Sequence, residues 1–173
     1  MTNQEAKRLL ALLKAAFPRQ EISQETAEVY CRFLADVEYE QVAAAVQRIV
    51  ATATYFPAIA EIRKLVAESK VGAPGWEEGW GEVLQAVSRF GRYKNPEFSH
   101  PAITAAVDSM GWLAICNSDE SDLHILRAQF RDIYGAVKQR ALTEANVKPL
   151  LEAAQRRREA LPAARVLPLK DEK

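Results

Sequence analysis

Pro57 is the residue that most limits what this chain can fold into. Its ring fixes φ, it offers no N–H, and it drives the preceding Phe56 out of helical angles. A helix running up to about Thr52 must therefore stop before Phe56, and a new one can open at Pro57 or Ala58, where a missing N–H costs nothing. Ile59, Ile62 and Val66 recur behind it at helical spacing. Tyr55 and Phe56 are adjacent at this corner, so at least one is expected to plug the core.

The rest of the first half reads as helices joined by short loops. Ala6, Leu9, Leu10, Leu13, Ala16 and Phe17 form an apolar stripe over residues 4–16, which Pro18 ends. Ser23 caps a second helix carrying Ala27, Tyr30, Phe33 and Leu34. A third starts at Asp36 or Glu38 and carries Val42, Ala45, Val46 and Ile49. The fourth runs from Pro57 to about Ser69. Such short loops make consecutive helices neighbours in a bundle.

Val71-Gly72-Ala73-Pro74-Gly75 interrupts the pattern and marks a division. Beyond it Trp76, Trp80, Val83, Val87 and Phe90 make one seam of an amphipathic helix. Gly91 to Pro101 reads as a loop. Pro101 opens a helix with Ile103, Ala106, Val107 and Met110 inward, and Gly111 is placed to close it in the left-handed region. A last strong helix buries Leu123, Leu126, Phe130, Ile133, Tyr134 and Val137, with His124, Arg127, Arg131 and Lys138 on another stripe. After Thr143 the periodicity weakens. Asn146 is placed to cap a short helix with Pro149 in its first turn, and residues 161–173 read as frayed. The expected architecture is all-α: a short-loop bundle over 1–70, a second small helical group over 76–142, and a weakly ordered basic tail over 143–173.

Composition narrows the function classes. The chain of 173 residues balances 23 basic against 23 acidic side chains, which disfavours a surface devoted to nucleic acid but permits a local basic stripe. Its two cysteines, Cys31 and Cys116, sit among apolar residues and read as reduced core thiols. The first residues do not read as a signal peptide, and no run of about 18 apolar residues occurs. A cytoplasmic protein without a membrane span is expected. The seven glycines form no phosphate-binding loop. His100 and His124 lie in different elements, outside any metal-binding pattern. Ser99-His100 lacks the elbow of a nucleophile. The acidic run Asn117 to Asp122 has Asp122 where a calcium loop needs glycine and Ala128 where it needs glutamate, so helix capping explains it better. No catalytic, cofactor or metal residue is expected, and no enzyme.

Three surface features are the candidates for partner binding. Trp76 and Trp80 either pack in the core or anchor a partner. Arg127, Arg131 and Lys138 form a basic stripe, read as a solvated face or a contact surface. Arg156-Arg157-Arg158, with Lys148, forms a basic segment that suits DNA or an acidic partner.

One longer pattern remains. It comprises Leu9-Leu10, Leu13, Phe17-Pro18, Ser23, Ala27, Tyr30, Phe33-Leu34-Ala35-Asp36, Tyr39-Glu40, Val42, Ala45-Val46 and Phe56-Pro57-Ala58-Ile59-Ala60-Glu61-Ile62. Over about residues 4–68 this resembles the small phage replicative-helicase loader/inhibitor family. Trp80-Gly81-Glu82-Val83, Arg89-Phe90-Gly91, Met110-Gly111-Trp112 and Arg127-Ala128-Gln129-Phe130 resemble the tail of prophage proteins that share this module. The resemblance implies a phage adaptor of DNA replication that binds the hexameric replicative helicase, controls its loading or activity, and works with an origin-binding protein. In the family's prototype the region after the module is shorter and flexible, whereas residues 76–142 here should fold. The alternative expectation is a phage accessory protein that contacts DNA or single strands through the basic stripe and tail.

Overall fold

The computed structural model describes residues 1–94 and 96–160, without the side chains of Arg157 and Ala160. Among the described residues there are helices and no strands. They divide into two compact units, Met1–Ile62 with residues 146–160, and Arg63–Ala145.

In the first unit, α1 (Asn3–Ala16) opens on a reciprocal cap. The Glu5 N–H donates to the Thr2 hydroxyl, and the Thr2 N–H donates to the Glu5 carboxylate at 2.7 Å. These bonds hold the Glu5 carboxyl below its usual range. α2 (Gln24–Leu34) is capped by Ser23, whose Oγ accepts from the Thr26 N–H. α3 (Tyr39–Thr52) follows Glu38 at its cap position. α1 packs against both α2 and α3. Leu9, Leu10, Leu13, Leu34, Val42, Val46 and Ile49 are buried, the apolar stripes that the sequence displays.

α4 (Ile59–Val71) begins later than the expected Pro57 or Ala58. Ala58 is the cap: its carbonyl accepts from Glu61 and Ile62, and its N–H donates to the Glu61 carboxylate at 2.7 Å. The Pro57 ring is fully buried, Phe56 is partly buried and Tyr55 is 82% exposed. The corner therefore plugs the unit with Phe56-Pro57 and turns Tyr55 to solvent.

In the second unit, α5 (Trp76–Phe90), α6 (Pro101–Met110), α7 (Trp112–Cys116) and the first part of α8 (Leu123–Ala160) share one core. Trp80, Val83, Ile103, Val107, Ile115, Phe130 and Tyr134 form its centre. Gly79 lets these helices close: a Cβ there would lie 3.3 Å from Ile103 Cγ1 and 3.5 Å from Phe130 Cζ. Gly111 ends α6 at φ +85°, a backbone region that side chains oppose, as expected of this residue.

Two boundaries differ from those read in the sequence. The compact units divide at Ile62/Arg63, inside α4, rather than at the glycine-rich break. The expected short helix capped by Asn146 is instead a continuation of α8, which runs unbroken to Ala160 with Pro149 in its interior. Pro149 has no N–H to offer the carbonyl of Ala145, four residues back. The boundary between the units falls at that same place, Ala145/Asn146. The expectation of fraying over 161–173 lies outside the described residues.

Candidate partner-binding surfaces

The tryptophan seam splits into two roles. Trp80 is 5% exposed and lies against Phe130 with ring centroids 5.4 Å apart, so it is core and presents nothing to a partner. Its four-residue step from Trp76 puts both rings on the α5 face that meets α8. Trp76, at the first turn, is only partly buried against that core. The Arg127 guanidinium carbon stands 5.2 Å from its ring. A cation over an indole face at that distance is attracted by the ring quadrupole. The structure thus brings Trp76 and Arg127 together at one partly exposed spot.

The expected basic stripe does not survive as three free cations. Arg131 is exposed, and its Nε sits 3.0 Å from the carboxylate of Asp132. Lys138 is partly buried, and its Nζ donates to the carbonyls of Ala73 and Pro74, both at 3.1 Å. Pro74 also accepts the Tyr134 hydroxyl at 2.9 Å. Lys138 is therefore a tie for the glycine-rich break, where it supplies donors to the carbonyls of Ala73 and Pro74 ahead of α5. Arg156 and Arg158 are exposed on the last turns of α8, as is Lys148 upstream, while the side chain of Arg157 lies outside the described residues.

The corner of the first unit carries an opening that sequence reading used only as a fold device. Phe56 sits between Phe17 and Tyr30, edge-on to each, at 6.1 and 5.7 Å. The Tyr30 hydroxyl donates to the Pro57 carbonyl at 2.8 Å. Beside them an open cavity of about 330 Å³ is lined by Phe17, Pro18, Arg19, Tyr55 and Phe56.

The loop between α5 and α6 explains Ser99 and His100. The Ser99 N–H and hydroxyl donate to the two carboxylate oxygens of Glu82, at 2.6 and 2.7 Å. His100 caps α6, its Nδ1 accepting from the Ala102 N–H at 3.0 Å. Its Nε2 lies 2.8 Å from the Val71 carbonyl and so carries the ring proton. Both ring nitrogens are committed to backbone, so the His100 ring serves as a structural tie. Cys31 is buried and Cys116 partly so, and burial pushes the Cys116 thiol up. Among the described residues no group of three or more histidine, cysteine or carboxylate side chains could hold a metal ion. The acidic run winds into a 3-10 turn, Glu120–Asp122, at whose cap position Asp119 makes no side-chain hydrogen bond.

Sequence reading missed a basic-aromatic cluster at the end of α5. The Arg89 guanidinium carbon and the Lys94 Nζ stand 5.1 and 5.2 Å from the Phe90 ring centre. The Arg92 guanidinium carbon is 5.2 Å from the Tyr93 ring and its Nη2 donates to the Tyr93 hydroxyl at 3.2 Å. Its signal was the interleaving itself: three cations and two aromatics within residues 89–94.

The first unit has the cap-and-corner layout that the sequence pattern required, and comparison with known proteins bears on that unit. Residues 1–63 match the family described as the N-terminal domain of the phage gene 39 protein. It is the phage helicase-associated family that the pattern from Leu9 to Ile62 resembles. The match to the gene 39 protein module ends at Arg63, one residue past the division between the compact units. No curated protein and no solved structure gives a significant match to the chain.

Proposed function

We propose that this protein is a non-enzymatic adaptor of phage or prophage DNA replication that binds a hexameric replicative helicase and controls its loading or activity. The observation that carries this reading is the family match over residues 1–63, which covers the helices around the Tyr30–Pro57 corner. Arg127 beside Trp76, Arg131, Arg156 and Arg158 supply the contacts, joined by the exposed Tyr55 at the rim of the corner cavity. An origin-binding protein is the second partner in this scheme, and the host cytoplasm is where it acts. Among the described residues no helix is long and apolar enough to cross a membrane, which suits that setting.

Size exclusion with light scattering tests the proposal. The full chain is mixed with the host's hexameric helicase, with and without ATP. Co-elution in either condition supports an adaptor, and the mass gives the stoichiometry. Separate peaks in both conditions overturn it.

A further inference from the structure

The cluster at the end of α5 has the makings of a single-strand contact. Phe90 is partly buried in the core of the second unit and holds Arg89 and Lys94 over its ring. The following turn, Gly91–Tyr93, is fixed from below: the Trp112 Nε1–H donates to the Gly91 carbonyl at 3.2 Å. Glu82, the carboxylate of α5 nearest in sequence, is occupied by Ser99. Among the described residues no carboxylate pairs with Arg89, Arg92 or Lys94. Tyr93 is 86% exposed; Arg92 stands over one face of its ring and meets its hydroxyl, which leaves the other face open.

We infer that Arg89, Arg92, Tyr93 and Lys94 form a contact site for single-stranded nucleic acid. Uncompensated cations track the phosphates, and the exposed phenol ring offers a stacking platform for a base. A chain of zero formal charge has no general affinity for polyanions, so binding needs a local surplus such as this one. An acidic peptide would use the cations but would leave the Tyr93 ring without a role. The inference is independent of whether a helicase is the partner.

The test is anisotropy of a labelled oligothymidylate with the full chain over a salt series. Four outcomes are expected. Binding weakens steeply with salt. Replacing Arg89, Arg92 and Lys94 together by Gln lowers the log–log salt slope by about 2, from ~0.7 per phosphate contact for single strands. Tyr93→Ala weakens binding roughly tenfold, as loss of one stacked base does, while keeping the slope. Duplex DNA of the same sequence length binds more weakly. Circular dichroism confirms that the variants are folded. No salt-dependent binding, an unchanged slope in the triple variant, or an acidic peptide that displaces the oligonucleotide while Tyr93→Ala has no effect would each overturn the site.

Discussion

The Tyr30 hydroxyl donates to the carbonyl oxygen of Pro57 at 2.8 Å, 27 residues along the chain, and so locks α2 to the corner that precedes α4. Phe56 fills the angle between them, edge-on to Tyr30 and Phe17. From sequence, Pro57→Ala is expected to leave the fold mostly intact and Phe56→Ala to be costly. Burial of the Pro57 ring narrows that gap. Pro57→Ala removes two buried methylenes and frees the unfolded chain, for about 1–2 kcal/mol. Phe56→Ala costs about 3 kcal/mol, the low end for an aromatic truncation because the ring is only partly buried. Tyr30→Phe costs about 1 kcal/mol through the bond it removes. Denaturant melts of the three variants check the order, and a neutral Tyr30→Phe would show that the bond does not hold the corner.

Tyr30 and Tyr134 predict a loss of stability in alkali. Burial raises both phenol pKa values above the ordinary 10.0, with the charges of Glu61 and Glu78 adding to it. Above pH 10 the folded protein keeps protons that the unfolded chain releases. Their stabilisation is therefore complete below about pH 10 and is lost as pH rises through the folded pKa values. Melting temperature should fall over that window, and the fall should shrink in a Tyr30→Phe/Tyr134→Phe protein.

Lys138 and Arg131 share a helix face yet should behave differently. Lys138→Met leaves the Ala73 carbonyl without its donor and Pro74 with the Tyr134 hydroxyl alone, at a cost of about 1–3 kcal/mol. Arg131→Ala, at an exposed pair with its sequence neighbour, stays within about 0.5 kcal/mol. Equal effects in thermal melts would return Lys138 to the solvated stripe that the sequence suggests.

His100 ties the start of α6 to the end of α4 through its two ring nitrogens. His100→Ala should cost about 1–2 kcal/mol. His100→Asn restores an N-cap acceptor without the reach to Val71, so it should recover part of the loss. Hydrogen exchange at Ala102 reports the cap directly: fast in the Ala variant and slowed again in the Asn variant.

At Gly79 the core leaves room for no side chain beyond a methyl. Gly79→Leu forces Ile103 and Phe130 apart and should cost about 1–3 kcal/mol or more by overpacking. Gly79→Ala trades a 3.3 Å contact against better helix propensity and should sit near neutral. A stable Gly79→Leu protein would mean that α5, α6 and α8 are less closely packed than described.

Helix starts and stops were legible because their causes are local. Ser23, the Phe56-Pro57 step, Pro101 and Gly111 each act within a few residues, through caps and backbone angles that sequence displays directly. The apolar stripes of α1, α3 and α5 were legible for the same reason, and so was the all-α class. The pattern shared with the phage helicase-associated family was readable because it consists of such residues. Which aromatic of the Tyr55-Phe56 pair enters the core, and whether Trp80 or Trp76 stays partly exposed, depended on rings brought from Phe17, Tyr30 and Phe130. Lys138 left the basic stripe because carbonyls 64 and 65 residues away needed a donor. Periodicity assigns a face to a side chain, but only packing across such separations decides whether that face meets solvent, a ring or an unsatisfied carbonyl.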